Sequence, residues 1–286
     1  CSRRSRLKFF AKLFFKKAGR RSMARFCPLF SGSSGNSVYI ASSDSAVLVD
    51  AGRSCKQLMA AMDARGIDPR ALLAVLVTHE HTDHISGLRV LLKKLRIPLY
   101  ATAEVLERLR WDGVIAPDQE AFTVEAGRPF SVGSLVIDGF DTPHDSVHSV
   151  GYRVQTPDGR RVAVATDMGY ISDGVASVLT GCDLVMIESN YESGMLSVCD
   201  YPYYLKRRIA SNLGHLSNDG CAKELTRLVR TGSTRFILGH LSENSNTPEM
   251  AYQSALTALT QCGMHEGRDF LLQVARRSAP SEMVTL

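Results

Sequence analysis

The sequence predicts an α/β fold, and three observations carry that expectation. Strand-like and helix-like stretches alternate along residues 23–286 with no low-complexity linker between them. Four apolar runs each deliver an ionisable residue at their carboxyl end. Leu72 to Thr78 runs into His79, Val162 to Ala165 into Thr166 and Asp167, Leu184 to Ile187 into Glu188, and Phe236 to Leu238 into Gly239 and His240. Layered α/β proteins keep their chemistry at such strand ends. The 286 residues, 44% of them hydrophobic, suffice for a full core, and no internal repeat is visible.

Taken in order, Ser37 to Ile40 and Ala46 to Val49 read as a pair of strands, the second running into the turn signal Asp50, Ala51, Gly52. Lys56 to Arg65 is helical, and the strand Leu72 to Thr78 follows. Ile85, Leu88, Leu91, Leu92 and Leu95 then recur at helical spacing until Pro98 stops the pattern, which predicts one helix. Leu135 to Phe140 and Val150 to Val154 read as strands around Pro143 and His144. The runs into Asp167, Glu188 and His240 supply the remaining strands, with Cys221 to Val229 helical before the last of them. His265 and Glu266 lie beside Gly263 and Gly267 and read as a loop.

The formal net charge of +5 is misleading. Residues 1–22 hold nine Lys and Arg and no acid, so residues 23–286 carry 25 basic against 29 acidic groups. A nucleic-acid argument from whole-chain charge therefore fails. Leu7, Phe10, Phe14 and Ala18 would share one face of a basic amphipathic helix, the pattern of a membrane-surface segment. The competing expectation, which we adopt, is a disordered or non-native extension with Met23 as the biological start and 23–286 as a single domain. Seven cysteines, odd in number and without a C-x-x-C pair, fit reduced thiols in a cytoplasmic protein. No apolar run is long enough to form a transmembrane segment.

The most informative stretch is His79, Glu80, His81, Thr82, Asp83, His84. Neutral imidazole and carboxylate are the ligands that borderline divalent ions prefer, and no cysteine stands nearby to suggest a zinc finger or an iron–sulfur site.

These residues, with the later strand-end acids and histidines, resemble the metallo-β-lactamase superfamily of hydrolases over roughly 23–276. The resemblance implies a four-layer αβ/βα sandwich, two mixed sheets flanked by helices, with a metal site at one edge between the sheets. It implies His79, His81 and His144 as ligands of a first ion, Asp83, His84 and His240 of a second, and Asp167 as a bridge. Asp50 would support a ligand from behind. His148 competes with His144 as ligand, a turn aspartate is the competing reading of Asp167, and a satisfied buried histidine that of His240. Seven candidate ligands are three more than one tetrahedral ion uses, so two divalent ions, manganese or zinc, are expected.

The runs Phe30 to Ser37, Glu188 to Asn190, Tyr201 to Ile209 and Gly214 to Asn218 narrow the resemblance to the branch called YycJ, WalJ or VicX. Those bacterial proteins are associated with DNA exonuclease activity and with a cell-wall two-component operon. The implied function is a dinuclear metal-dependent phosphodiesterase, a 5′→3′ exonuclease on DNA, with RNA as the neighbouring substrate. Composition alone would make 31–37 a flexible linker, whereas the resemblance makes it a tight turn near the site. Tyr203, Tyr204, Lys206, Arg207 and Arg208 suit stacking on bases and contacting phosphate, with a plain amphipathic surface as the alternative. Two ions roughly 3.5–4 Å apart would lower the pKa of a shared water towards about 7, giving a bridging hydroxide as nucleophile. His215, before a helix capped by Ser217 or Asn218, resembles the general acid of tRNA 3′-processing relatives, with Glu188 as its orienting partner. Asp83 is counted as catalytic as well as a ligand, and a capping or core histidine is the competing reading of His215.

The stretch from His144 to Asp167 is too short for the tRNA-binding arm of tRNA 3′ endonucleases, and that from Asp167 to His240 too short for the extra domain of RNA-degrading and crosslink nucleases. Two other functions stay open: hydrolysis of small cyclic phosphodiesters, which the acidic body favours, and a non-catalytic regulatory role linked to a cell-wall two-component system. A homodimer is compatible with either.

Overall fold

The strands read from the sequence are the middle of two seven-stranded sheets in the computed structural model, which describes residues 23–286. The first sheet contains β1 (Arg25–Phe30), β2 (Ser37–Ala41), β3 (Ala46–Val49), β4 (Leu72–Leu76), β5 (Leu99–Ala101), β6 (Ala121–Thr123) and β14 (Val284–Thr285). The second contains β7 (Phe130–Val132), β8 (Leu135–Asp141), β9 (Val150–Gln155), β10 (Arg161–Ala165), β11 (Leu184–Glu188), β12 (Arg235–Gly239) and β13 (Leu271–Val274). The orders are β14-β1-β2-β3-β4-β5-β6 and β13-β12-β11-β10-β9-β8-β7. The two halves repeat one plan. Antiparallel pairing of β1, β2 and β3 gives way to parallel pairing through β6, just as β8, β9 and β10 give way to parallel β11, β12 and β13.

Most central strands are buried on both faces, which is why they read as continuous apolar runs with no alternation. Val47, Val49 and Leu76 of the first sheet meet Ile137, Val154, Val164 and Met186 of the second in the inner core. Ala46, Leu48 and Val75 face outward onto α1 (Cys55–Asp63), α3 (Leu88–Leu95) and α4 (Ala103–Trp111). Ala163, Val185 and Leu238 face α5 (Asp173–Leu179), α8 (Asn218–Arg230) and α9 (Pro248–Gln261). The result is the four-layer helix–sheet–sheet–helix sandwich. The Tyr152 hydroxyl of β9 crosses between the sheets and donates to the Val77 carbonyl at 2.8 Å, just before the histidine cluster.

One expectation is corrected. The run from Ile85 to Leu95 is not one helix but two, α2 (Thr82–Ile85) and α3, broken at Ser86 and Gly87. The Gly87 N–H donates to the Ala51 carbonyl at 2.8 Å, and a Cβ at Gly87 would lie 1.9 Å from the Arg53 carbonyl. The break lets the loop after β3 pack directly on the loop after β4. Gly87→Ala is therefore expected to lower the Tm by several degrees, since overpacking costs about 1–3 kcal/mol. An unchanged Tm in a calorimetric scan would refute that packing.

The helices α4 and α9 lie outside the elements read from the sequence, as do the short edge strands. Among the described residues no helix is long and apolar enough to cross a membrane. The basic stretch 1–22, with the expectations placed on it, lies outside the described residues.

Candidate metal centre

The carboxyl ends of β3, β4, β10, β11 and β12 meet at one edge of the sandwich. Three of the residues there, Asp50, Asp167 and His240, have left-handed backbones with φ of 61°, 59° and 53°. Non-glycine residues held this way cost about 1–3 kcal/mol each and persist where their surroundings over-determine them. Here they are pinned. The Asp50 N–H donates to the Leu76 carbonyl, its carbonyl accepts from Ser37 Oγ, and the His240 N–H donates to Ser31 Oγ at 2.8 Å.

Six of the chain's eight histidines gather at this edge. Nitrogens of His79, His81 and His144 lie within 4.8 Å of one another, as do ligand atoms of Asp83, His84 and His240. Asp167 stands between the two groups. One carboxylate oxygen is 3.3 Å from His84 Nε2, the other 3.9 Å from His144 Nε2 and 3.2 Å from His240 Nδ1.

The protein engages the Nδ1 of four candidate ligand rings. His84 Nδ1 donates to Asp50 at 2.7 Å, His144 Nδ1 to the Gly214 carbonyl at 3.0 Å, and His240 Nδ1 to Glu188 at 2.9 Å. His79 Nδ1 lies 3.0 Å from Thr78 Oγ1, whose own proton goes to Asp50. These acceptors fix the tautomers and turn each Nε2 lone pair toward the others. His79 Nε2, His144 Nε2, His240 Nε2 and Asp167 Oδ2 are buried without any hydrogen-bond partner. A buried orphan atom costs about 1–3 kcal/mol, and a bound cation would satisfy such atoms in each group. An all-nitrogen-and-oxygen donor set whose rings are oriented from behind fits a divalent ion of the zinc or manganese type.

Electrostatics agree. Burial holds the His79 ring well below the ordinary histidine value, helped by its ring neighbours, and lowers His144 as well. Burial also opposes charge on His84 and His240. For His84, however, Asp167, Asp50 and Asp83 outweigh it, and for His240 Asp167, Asp83 and Glu188 do so, pushing both rings well above the usual value. Protons on those two rings and a bound cation are alternative ways of neutralising the same carboxylates.

Glu188 is fully buried at the end of β11 and serves two histidines at once. Its Oε1 accepts from His215 Nδ1 at 2.8 Å and from His240 Nδ1 at 2.9 Å, while Oε2 accepts the Met168 and Leu216 N–H groups. Burial would raise its pKa, but His215 and His240 hold it below the ordinary carboxylate range. Both of its oxygens are thus engaged, although Glu188 also falls within a candidate ligand group with Asp167, His215 and His240. His215 stands just before α8, capped by Ser217 as the sequence allows, and it lines a cavity of about 220 Å³ with His81, Asp83, Asp167, Tyr201 and Arg208. A larger cleft, about 830 Å³ between α3 and the loop after α4, has no histidine in its walls. Convergent polar groups, not volume, mark the site.

The structure places His144, and not His148, within the histidine cluster. His148 lies at the surface between Glu104 and Asp141, at 3.0 and 2.9 Å, with both ring nitrogens engaged. Accordingly His144→Ala is expected to lose bound metal and His148→Gln to keep it, as elemental analysis of each protein would read. His265 sits in a distant loop, its N–H donating to Asp269. Tyr203, Tyr204, Lys206, Arg207 and Arg208 lie on α7 (Tyr203–Ile209), with both tyrosines about three-quarters exposed.

Several residues escaped the sequence reading. Asn36, in the serine-glycine run, places Nδ2 3.1 Å from both Asp83 Oδ2 and His84 Nε2. Thr78, Ser31, Gly214 and Asn190, which donates to the His240 carbonyl, also hold the centre from behind. All but Thr78 lie in the motif runs 30–37, 188–190 and 214–218, but their bonds reach distant segments, so the sequence did not show what each one holds.

Residues 45–241 match the family described as Beta-lactamase superfamily domain. The chain belongs to the metallo-β-lactamase superfamily. Within it, the chain is 36% identical over 249 residues to exodeoxyribonuclease WalJ of Streptococcus pneumoniae, covering 86% of this chain and 92% of that protein. It is 31% identical over 258 residues to exodeoxyribonuclease YycJ of Bacillus anthracis, covering 90% and 97%. Both place it in the WalJ/YycJ branch. Among solved structures, the metallo-β-lactamase-fold protein YhfI of Bacillus subtilis superimposes with a TM-score of 0.70 at 17% identity, covering 93% and 100% of the two chains. Zinc-bound PqqB of Methylobacterium extorquens gives 0.67 at 17%, covering 90% and 99%. At such identities these structures speak for the fold alone.

Proposed function

We propose that this chain is a metal-dependent phosphodiesterase that degrades DNA from an end, in the 5′→3′ direction. The observation that carries the reading is the set of four partnerless buried atoms, on His79, His144, His240 and Asp167, in adjoining ligand clusters beside a histidine held by a buried carboxylate. The relatives named exodeoxyribonuclease support the substrate class. In this reading His79, His81 and His144 would hold one divalent ion, manganese or zinc, and Asp83, His84 and His240 a second, with Asp167 available to both.

When bound, such ions supply Lewis acidity, which lowers the pKa of water and neutralises charge on phosphate. The chain's own residues do the rest. Asp50 and Glu188 keep His84 and His240 in one tautomer. Glu188 also takes the Nδ1–H of His215 and leaves Nε2 for the cavity, where its proton can pass to the departing oxygen. Asp83, with its side chain about one-quarter exposed, lines the cavity where an attacking water would stand. Arg208 of α7 lines the cavity, and the exposed Tyr203 and Tyr204 on the same helix could stack on bases of a strand leaving it.

The test is metal-loaded protein with linear DNA labelled at either end and a sealed circle of the same sequence. Stepwise release from the 5′-labelled end with an intact circle is expected, together with two equivalents of metal by elemental analysis. Cutting of the circle as fast as the linear form would overturn the exonuclease reading. The small cavity favours one alternative, hydrolysis of a compact cyclic phosphodiester, and such a substrate belongs in the same assay.

A further inference from the structure

The three basic residues of α7 have separate fates. Lys206 Nζ is spent on the Ser197 carbonyl at 2.8 Å, and Arg207 faces solvent. Arg208 lines the cavity and grips Asp145 with two prongs, Nη2 to Oδ1 at 2.9 Å and Nε to Oδ2. Asp145 directly follows His144, and its Oδ1 stands 3.5 Å from the partnerless His144 Nε2. The pair therefore sits at the mouth of the histidine cluster. With side-chain exposures of 46% and 30%, it adds little to stability.

A guanidinium fork matches two oxygens of a phosphate as well as two of a carboxylate. We propose that Arg208 is the phosphate-binding residue of this cavity and that Asp145 is a stand-in, holding the fork in place until a substrate phosphate displaces the carboxylate. This rests on the phosphodiesterase reading. It goes beyond that reading by singling out Arg208 from its α7 neighbours as the cavity's phosphate fork and by assigning Asp145 an opposing role, a competitor for that fork.

The two halves of the pair then have opposite effects, which a purely structural ion pair would not give. The probe is inorganic phosphate, titrated calorimetrically into the metal-loaded full chain, with KM for end-labelled single-stranded DNA measured beside it. Arg208→Ala should raise the phosphate Kd and the KM by about ten- to a hundredfold, the worth of a charge-assisted bidentate contact. Arg208→Lys should recover little of this, because a point charge lacks the fork. Asp145→Asn, which keeps the shape and drops the charge, should lower both values roughly threefold to tenfold while keeping bound metal.

Shifts in the same direction for Arg208→Ala and Asp145→Asn, or no shift in either, would overturn the proposal. Loss of metal from Asp145→Asn would also overturn it, because Asp145 would then belong to the ion. A wild-type protein that cleaves no phosphodiester would sink the proposed function instead, while the phosphate titration still decides the role of Arg208.

Discussion

Replacing His215 by alanine is expected to cut turnover by roughly 10²–10⁴, the usual contribution of a positioned general acid, while both ions and substrate affinity remain. The reasoning is geometric. The Nδ1 of His215 is committed to Glu188, and Nε2 has no partner among the described residues, so the ring can pass a proton to a leaving group without holding the metal. Because that work is confined to the leaving group, the defect should shrink for an activated aryl ester, whose phenolate departs without a proton. An undiminished defect on that ester, or loss of an ion from the variant, would remove His215 from this role. Glu188→Gln should behave differently, since the same oxygen also holds His240. It is expected to weaken metal binding and turnover together.

Asp167→Asn should have the largest effect on the centre itself. Asn tolerates the left-handed backbone that Asp167 adopts at φ 59°, so the fold should survive and the thermal transition should move little. The negative charge between the two ligand groups is lost. Outer partners of metal ligands are typically worth 10–100-fold in affinity or activity, and a carboxylate between both groups should exceed that. Metal content is expected to fall from two equivalents to one or none, and the DNA and the activated ester should lose turnover in parallel. Two retained ions would show that Asp167 is only a strained turn residue. The contrast with His215→Ala separates a ligand from an acid.

Not all of the centre was equally legible. The hexapeptide from His79 to His84 and the strand-end residues Asp50, Asp167, Glu188 and His240 announce themselves because each follows an apolar run, and the run itself encodes a buried strand. Glu188 was visible as a partner for His215, yet its grip on His240 was not, because residues 188 and 240 meet only when β11 pairs with β12. The break at Gly87 was hidden for a related reason. Leucine periodicity continues through it, and what forbids one continuous helix is the Arg53 carbonyl, supplied by another segment. The repeated plan of the two halves left no trace by eye, since pairing order can be conserved between sheets while the side chains differ.

The sequence by itself determined the α/β layering, the chemical type of the ligands and the strand ends that carry them. Those properties are local, set by periodicity and by what a residue can donate or accept. Tertiary structure alone decided which of two neighbouring histidines faces the cluster, which acceptor stands behind the rings of His84, His144 and His240, and which arginine reaches the cavity. His144 is chosen by the Gly214 carbonyl and His148 is drawn away by Glu104 and Asp141, all from elsewhere in the chain. The physical reason is that a ring's orientation is set by the acceptor behind it, and folding, not spacing, brings that acceptor into place.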